Sequence, residues 1–115
     1  MVLKREVMDG LLKRADDFFG YVAELTSWIA EKGKEFPYTE NLLECGRGIG
    51  ETIRDAEPIQ PFPQEGFTKA SGLTDEFCRL MGLLVKTGVL SEIQSKPLLS
   101  ECLYIRKEIA ELLEC

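Results

Sequence analysis

The segment 45–50, Cys-Gly-Arg-Gly-Ile-Gly, is the first part of the chain whose residue types could do chemistry. Glycine-rich segments bind phosphate groups when they connect a strand to a helix. Here the glycines lie inside a helical repeat of apolar residues, with no strand pattern before them. A glycine in a helix interior costs about 0.5 to 1 kcal/mol relative to alanine. The segment therefore predicts close helix packing rather than nucleotide binding.

The glycines of this segment fall on two sides of the predicted helix. Gly46 and Gly50 lie one turn apart on the apolar face, where a neighbouring backbone or a large ring such as Phe18 or Phe77 can approach closely. Gly48 points the other way, which leaves two alternatives: a close contact with another subunit, or a tolerated weakness. The residues predicted to form the packing face are Gly46, Ile49, Gly50 and Ile53.

Cysteine and histidine content narrows the possible chemistry further. The four cysteines, Cys45, Cys78, Cys102 and Cys115, lie far apart in the sequence and form no Cys-x-x-Cys pair. Three of them fall in predicted helices, where a thiol usually behaves as a small apolar side chain, although a redox or metal role stays open. The chain has no histidine, which removes the commonest general base and metal ligand. We predict no enzymatic activity, no cofactor and no metal.

A polar cluster is predicted where the second helix ends. Arg54, Asp55 and Glu57 lie there, and Glu76 lies in the third predicted helix. One interpretation is a solvated set of ion pairs, worth about 0 to 1 kcal/mol for each exposed pair. The other is a specific pair between Arg54 and Glu76 that fixes the register of the two helices.

Charge limits the possible partners. The net charge is −6, from 14 basic and 20 acidic side chains, so the molecule as a whole repels nucleic acid. Basic residues gather near the amino terminus between Glu6 and Asp9, and mixed signs of this kind usually mark a solvated helix face. If nucleic acid binds at all, the candidate residues are Lys4, Arg5, Lys13 and Arg14.

The elements that position these residues are four amphipathic helices, indicated by apolar residues at steps of three and four. The predicted spans are Leu3 to Lys32, Thr39 to Glu57, Gln64 or Glu65 to Gly88, and a last helix with Pro97 in its first turn after a turn at 91–96. Short connections favour an antiparallel up-and-down four-helix bundle, all-α, as a single domain over residues 1–115. No apolar run is long enough for a bilayer helix and no secretory segment opens the chain, so we expect a cytoplasmic protein without a membrane partner.

Apolar residues outside the buried stripes predict a contact surface. A helix in a bundle cannot bury both of its faces internally, so a second stripe on the first and last helices suggests contacts between subunits. Scattered surface apolar residues are the alternative. Phe62, between Pro61 and Pro63, either docks into a partner or folds onto its own core. The candidate interface residues are Tyr21, Trp28, Phe62, Leu99, Leu103 and Leu113.

Two segments carry a family resemblance. The first is 38–43, Tyr-Thr-Glu-Asn-Leu-Leu, with Gly46, Ile49-Gly50, Ile53 and 54–57, Arg-Asp-Ala-Glu; the second is Phe67 with Lys69, Glu76, Leu83-Leu84 and 88–90, Gly-Val-Leu. These resemble the second and third helices of the four-helix-bundle proteins encoded in bacterial 23S rRNA intervening sequences. The resemblance implies a bundle that forms homo-oligomers, pentameric rings among them, and implies no enzymatic activity. Thr52 stands where the family commonly has Asn, and the proline-rich loop replaces a more polar connection.

These observations lead to one main functional hypothesis and one alternative. The main hypothesis is a non-enzymatic bundle that self-associates and acts as a scaffold or binding module through a surface that exists only in the oligomer. The alternative is a nucleic-acid-associated accessory protein that uses the amino-terminal basic residues in a ring, where weak sites add together. Related bundles that bind nucleic acid have basic surfaces, and the acidic charge of this chain disfavours that role.

Overall fold

Four helices form the structure, a computed structural model that describes residues 2–33, 36–55 and 63–114. They are α1 (Val2–Glu31), α2 (Thr39–Asp55), α3 (Pro63–Lys86) and α4 (Glu92–Glu114). No strand occurs within these residues, and the predicted all-α fold is confirmed. Glu57, Phe62 and Cys115 lie outside the described residues.

The apolar stripes of the four helices meet in one core. Phe18 of α1 and Phe77 of α3 are fully buried at its centre, with ring centroids 4.9 Å apart at an edge-to-face angle of 72°. Burying a side chain of this size stabilises the fold by about 1.5 to 3 kcal/mol. Leu25 and Leu98, predicted within the stripes, pack only partly buried against this core. The predicted packing residues of α2 (Gly46, Ile49, Gly50 and Ile53) are all buried.

The helices pack in the order of the chain. Each contacts the next one, and α4 returns to contact α1, which gives an elongated bundle of 47 × 22 × 19 Å. Of the four neighbouring pairs, α1 and α4 pack least closely. This loose seam opens a groove along one side of the molecule.

Glycines end α1 and α3, as the sequence predicts. Gly33 and Gly88 have φ values of 65° and 78°, in the left-handed region that glycine enters without a steric penalty. After α3, the Val89 amide donates to the Leu84 carbonyl at 3.0 Å and the Gly88 amide to the Val85 carbonyl at 3.1 Å. These two bonds form a Schellman motif, which satisfies carbonyls at the end of the helix. Val89 and Leu90 are buried against the bundle, as expected.

The predicted start of α4 is wrong. The helix begins at Glu92, and Pro97 lies inside it rather than in its first turn. Ser91 caps the helix: its hydroxyl accepts a hydrogen bond from the Gln94 amide at 3.0 Å, and the Gln94 side chain accepts one from the Ser91 amide at 2.9 Å. This reciprocal capping box stabilises the first turn strongly enough that the helix starts before the proline.

The glycines of α2 pack against different neighbours from those expected. A Cβ atom at Gly46 would lie 3.2 Å from the Phe19 ring, not from Phe18 or Phe77. Gly48 makes the tightest approach, because a Cβ there would lie 2.9 Å from Leu73 Cδ1 of α3. The side of Gly48 is therefore occupied within the same chain, and neither alternative proposed for it is needed.

Within the described residues, no helix combines the length and hydropathy needed to cross a membrane.

Candidate functional site: the groove between α1 and α4

A groove of about 630 Å³ lies between α1 and α4. Its walls come from two turns of α1 and the second and third turns of α4, and its lining residues are Tyr21, Glu24, Leu25, Trp28, Pro97, Leu98 and Glu101. Leu25, Trp28 and Leu98 are partly buried against the core, whereas Tyr21 is 55% exposed. Pro97 has no amide hydrogen to donate, so the lip of the groove that it forms is apolar. The groove therefore has an apolar floor and a rim of carboxylates.

The groove continues toward the amino-terminal half of α1 as a more polar cleft lined by Gly10, Lys13, Arg14, Asp17, Tyr21 and Glu101. The Arg14 guanidinium carbon lies 3.9 Å from the centre of the Tyr104 ring. Arg14 Nε also lies 3.4 Å from Glu101 Oε1. These contacts tie α1 to α4 through a cation–π interaction and an ion pair.

The candidate nucleic-acid residues do not form one free basic patch in the described part of the chain. Lys13 is exposed, but Arg14 is engaged with Tyr104 and Glu101. The side chains of Lys4 and Arg5 lie outside the described residues. Charge already neutralised within the protein contributes little to binding a phosphate backbone.

The outer side of α4 carries the remaining candidate interface residues. Leu103 is 51% exposed, and Leu99 is half-buried beside a second cleft between α3 and α4. Ile93 lines the same cleft and is 84% exposed. Leu113 packs partly buried against the core. We call Ile93, Leu99 and Leu103 the α4 ridge.

The predicted pair between Arg54 and Glu76 is wrong. Arg54 Nη2 lies 3.3 Å from Asp16 Oδ2 on α1, and both side chains are more than half exposed. Glu76 pairs instead with Arg79 of its own helix, whose Nε donates to Glu76 Oε2 at 3.2 Å. This hydrogen bond lowers the pKa of Glu76. Asp55 is exposed, and the expected polar cluster is divided into separate surface pairs.

The rotation of the helices explains why Arg54 and Glu76 do not meet. The charge of Glu76 contributes to the raised pKa of Cys45, so Glu76 lies level with that part of α2. Arg54 follows Cys45 by nine residues, or about 13 Å along a helix. Arg54 therefore reaches α1 rather than the middle of α3.

Two cysteines that are distant in the sequence meet between α3 and α4. The sulfur atoms of Cys78 and Cys102 are 3.9 Å apart, and Cys102 Sγ lies 3.5 Å from the Thr74 carbonyl oxygen. Cys102 is fully buried and Cys78 is partly buried. Cys45, Cys78 and Cys102 are all free thiols. Burial raises the pKa of Cys45 to about 11, which keeps it protonated.

Other groupings of ligand-type side chains are sparse. Among residues 2–33, 36–55 and 63–114, no three His, Cys, Asp or Glu side chains converge in a way that could hold a metal ion.

Several residues of these surfaces were not predicted. Ile93 was assigned to a turn, although recognising Ser91 and Gln94 as a capping box would have placed it on the outer face of α4. Tyr104 and the Cys78–Cys102 contact depend on how α4 is rotated against its neighbours. No local spacing in the sequence reports that rotation.

Comparison with known proteins supports the fold. No protein-family model and no curated protein matches the sequence. Among solved structures, the chain is similar to a protein of unknown function from the S23 ribosomal protein family of Bacteroides thetaiotaomicron VPI-5482. The two superpose with a TM-score of 0.89 at 19% identity, over 95% of this chain and 99% of that chain. At this identity the likeness shows a shared helical-bundle architecture.

Proposed function

We propose that this protein is a non-enzymatic helical bundle that self-associates into a scaffold or binding module. In this proposal the α4 ridge of one copy docks into the groove between α1 and α4 of the next. The observation that carries it is the coexistence of an apolar groove of about 630 Å³ with large exposed apolar side chains on the neighbouring surface. Covering both would remove apolar surface from water at about 25 cal/mol per Å².

Charge favours a second copy as the occupant of the groove. Glu24 lines the groove and Glu31 lies one turn further along α1, so its rim is acidic. The α4 ridge is flanked by the exposed residues Lys96 and Lys107. Opposite charges would therefore meet when the ridge of one copy enters the groove of another.

The placement of the two surfaces supports a ring. Groove and ridge lie on different sides of α4, so a contact between them is head-to-tail and leaves each copy with one unused surface of each kind. Head-to-tail contacts close into rings when the rotation between copies permits it. The family resemblance implies a pentamer, which would have five times the mass of the 13.0 kDa chain. The free thiols support a reducing compartment such as the cytoplasm.

The proposal is tested by light scattering and analytical ultracentrifugation across a dilution series. Wild type is expected to exceed the monomer mass. Leu103→Glu, which places a charge on the ridge, and Tyr21→Glu, which places one beside the groove, are expected to shift the mass toward the monomer. Circular dichroism verifies that each variant keeps its helices.

Asn41→Glu is the matched control, because it adds the same charge to an exposed position of α2, away from both surfaces. It should assemble like wild type. A wild-type protein that is monomeric at every concentration would refute self-association. Equal assembly of Leu103→Glu and Asn41→Glu would refute the proposed interface.

A further inference from the structure

We propose that Cys78 and Cys102 form an oxidant-sensitive dithiol, which a hydroperoxide converts into a disulfide between α3 and α4. The distance between the two sulfur atoms is 3.9 Å. A disulfide requires a sulfur–sulfur distance of about 2.0 Å, so the pair is within reach of a side-chain adjustment. This inference does not depend on self-association.

The two thiols differ in the way a reactive pair requires. Cys78 is only partly buried and provides access for the oxidant, whereas Cys102 is fully buried behind it. Asp75 and Arg106 lie beside Cys78 and form an ion pair with a distance of 3.0 Å. Cys45 of α2 faces Cys102 from the other side and lies in the core.

The thiol pair is also arranged to stabilise a thiolate. A hydrogen bond from Cys102 lowers the pKa of Cys78 from 9.0 to about 7. The same interaction with Cys78, together with burial, raises the pKa of Cys102. Near pH 7 Cys78 therefore carries about fiftyfold more thiolate than an ordinary cysteine, which its lower nucleophilicity reduces to a net rate advantage of about fivefold.

The reaction balances with a hydroperoxide as the oxidant. The Cys78 thiolate attacks the terminal peroxide oxygen, the O–O bond breaks, and the alcohol or water leaves after protonation. Cys78 is then a sulfenic acid. The Cys102 sulfur attacks the Cys78 sulfur, the S–O bond breaks, and hydroxide leaves as water with the Cys102 proton. The two thiols lose two electrons in total, which the peroxide accepts.

The disulfide is tested by peptide mapping after treatment with hydrogen peroxide, in a Cys115→Ser background that prevents linkage through the last residue. Trypsin places Cys45, Cys78 and Cys102 in different peptides, 35–47, 70–79 and 87–106. We expect 70–79 linked to 87–106, released by dithiothreitol and still formed in Cys45→Ala. A link through 35–47, oxidation of Cys78 to sulfinic acid alone, or unchanged thiols would overturn the proposal.

Two further measurements test the pair without peroxide. Phenylarsine oxide, which joins two nearby thiols with loss of water, should bind once per chain, should be retained in Cys45→Ala and should be lost in Cys78→Ala. The alkylation rate of Cys78 should rise to half its maximum near pH 7. Cys102→Ala should move that midpoint toward 9.0, whereas Cys102→Ser, which keeps a donor, should move it less. An unmoved midpoint in Cys102→Ala, with helicity retained, would show that Cys102 does not act on Cys78.

Discussion

Gly48 and Gly50 are two residues apart in α2 but differ in the space around them. A Cβ atom at Gly50 would lie 3.5 Å from Asp16 Oδ1 and 3.8 Å from Ala15 Cβ, which are ordinary contacts. A Cβ atom at Gly48 would lie 2.9 Å from Leu73 Cδ1, so Leu73 must move. The glycine that the structure needs is therefore Gly48, although the sequence pattern emphasised Gly46 and Gly50.

This difference predicts opposite rankings for two alanine substitutions. Gly50→Ala is expected to raise the free energy of unfolding by about 0.5 to 1 kcal/mol, because alanine favours the helix and meets no obstacle. Gly48→Ala should gain less, or lose stability, because Leu73 is displaced. Denaturant unfolding at one fixed protein concentration measures both. Gly72→Ala, in open space on α3, is the control for the full helix gain, and an equal gain at Gly48 would contradict the prediction.

At the level of elements, the start of α4 depends on the cap at Ser91. Ser91→Ala removes the hydroxyl that accepts from the Gln94 amide and is expected to lower the free energy of unfolding by about 1 kcal/mol. Ser91→Asp keeps an acceptor and should retain most of the stability. Ser100→Ala, at an exposed position in the same helix, should be close to neutral. Equal stabilities of Ser91→Ala and Ser91→Asp would show that the cap does not set the start of the helix.

The helices were predictable from sequence because their signals are local. Apolar residues at steps of three and four placed α1, α2 and α3 to within two residues of their observed ends over the described residues, and Gly33 and Gly88 marked two stops. The start of α4 was missed because Pro97 was given more weight than the capping box. Contacts between helices were harder to predict. The partner of Arg54 and the approach of Cys78 to Cys102 depend on rotations that no local spacing encodes.

For the whole molecule, self-association links stability to concentration. An assembly that binds folded chains and not unfolded ones raises the thermal midpoint as protein is added. We expect a rise of about 5 °C for each tenfold increase in concentration above the dissociation constant. The Leu103→Glu variant should show a smaller rise than Asn41→Glu. A midpoint that does not change with wild-type concentration would indicate that association adds nothing to stability.

Trp28 in the wall of the groove has a practical consequence. It is the single tryptophan of the chain, so the intrinsic fluorescence at its wavelength comes from the groove alone. Whatever covers the groove removes water from that indole and shifts its emission to the blue. The protein therefore carries its own optical reporter at this surface, and occupancy can be followed in unlabelled material.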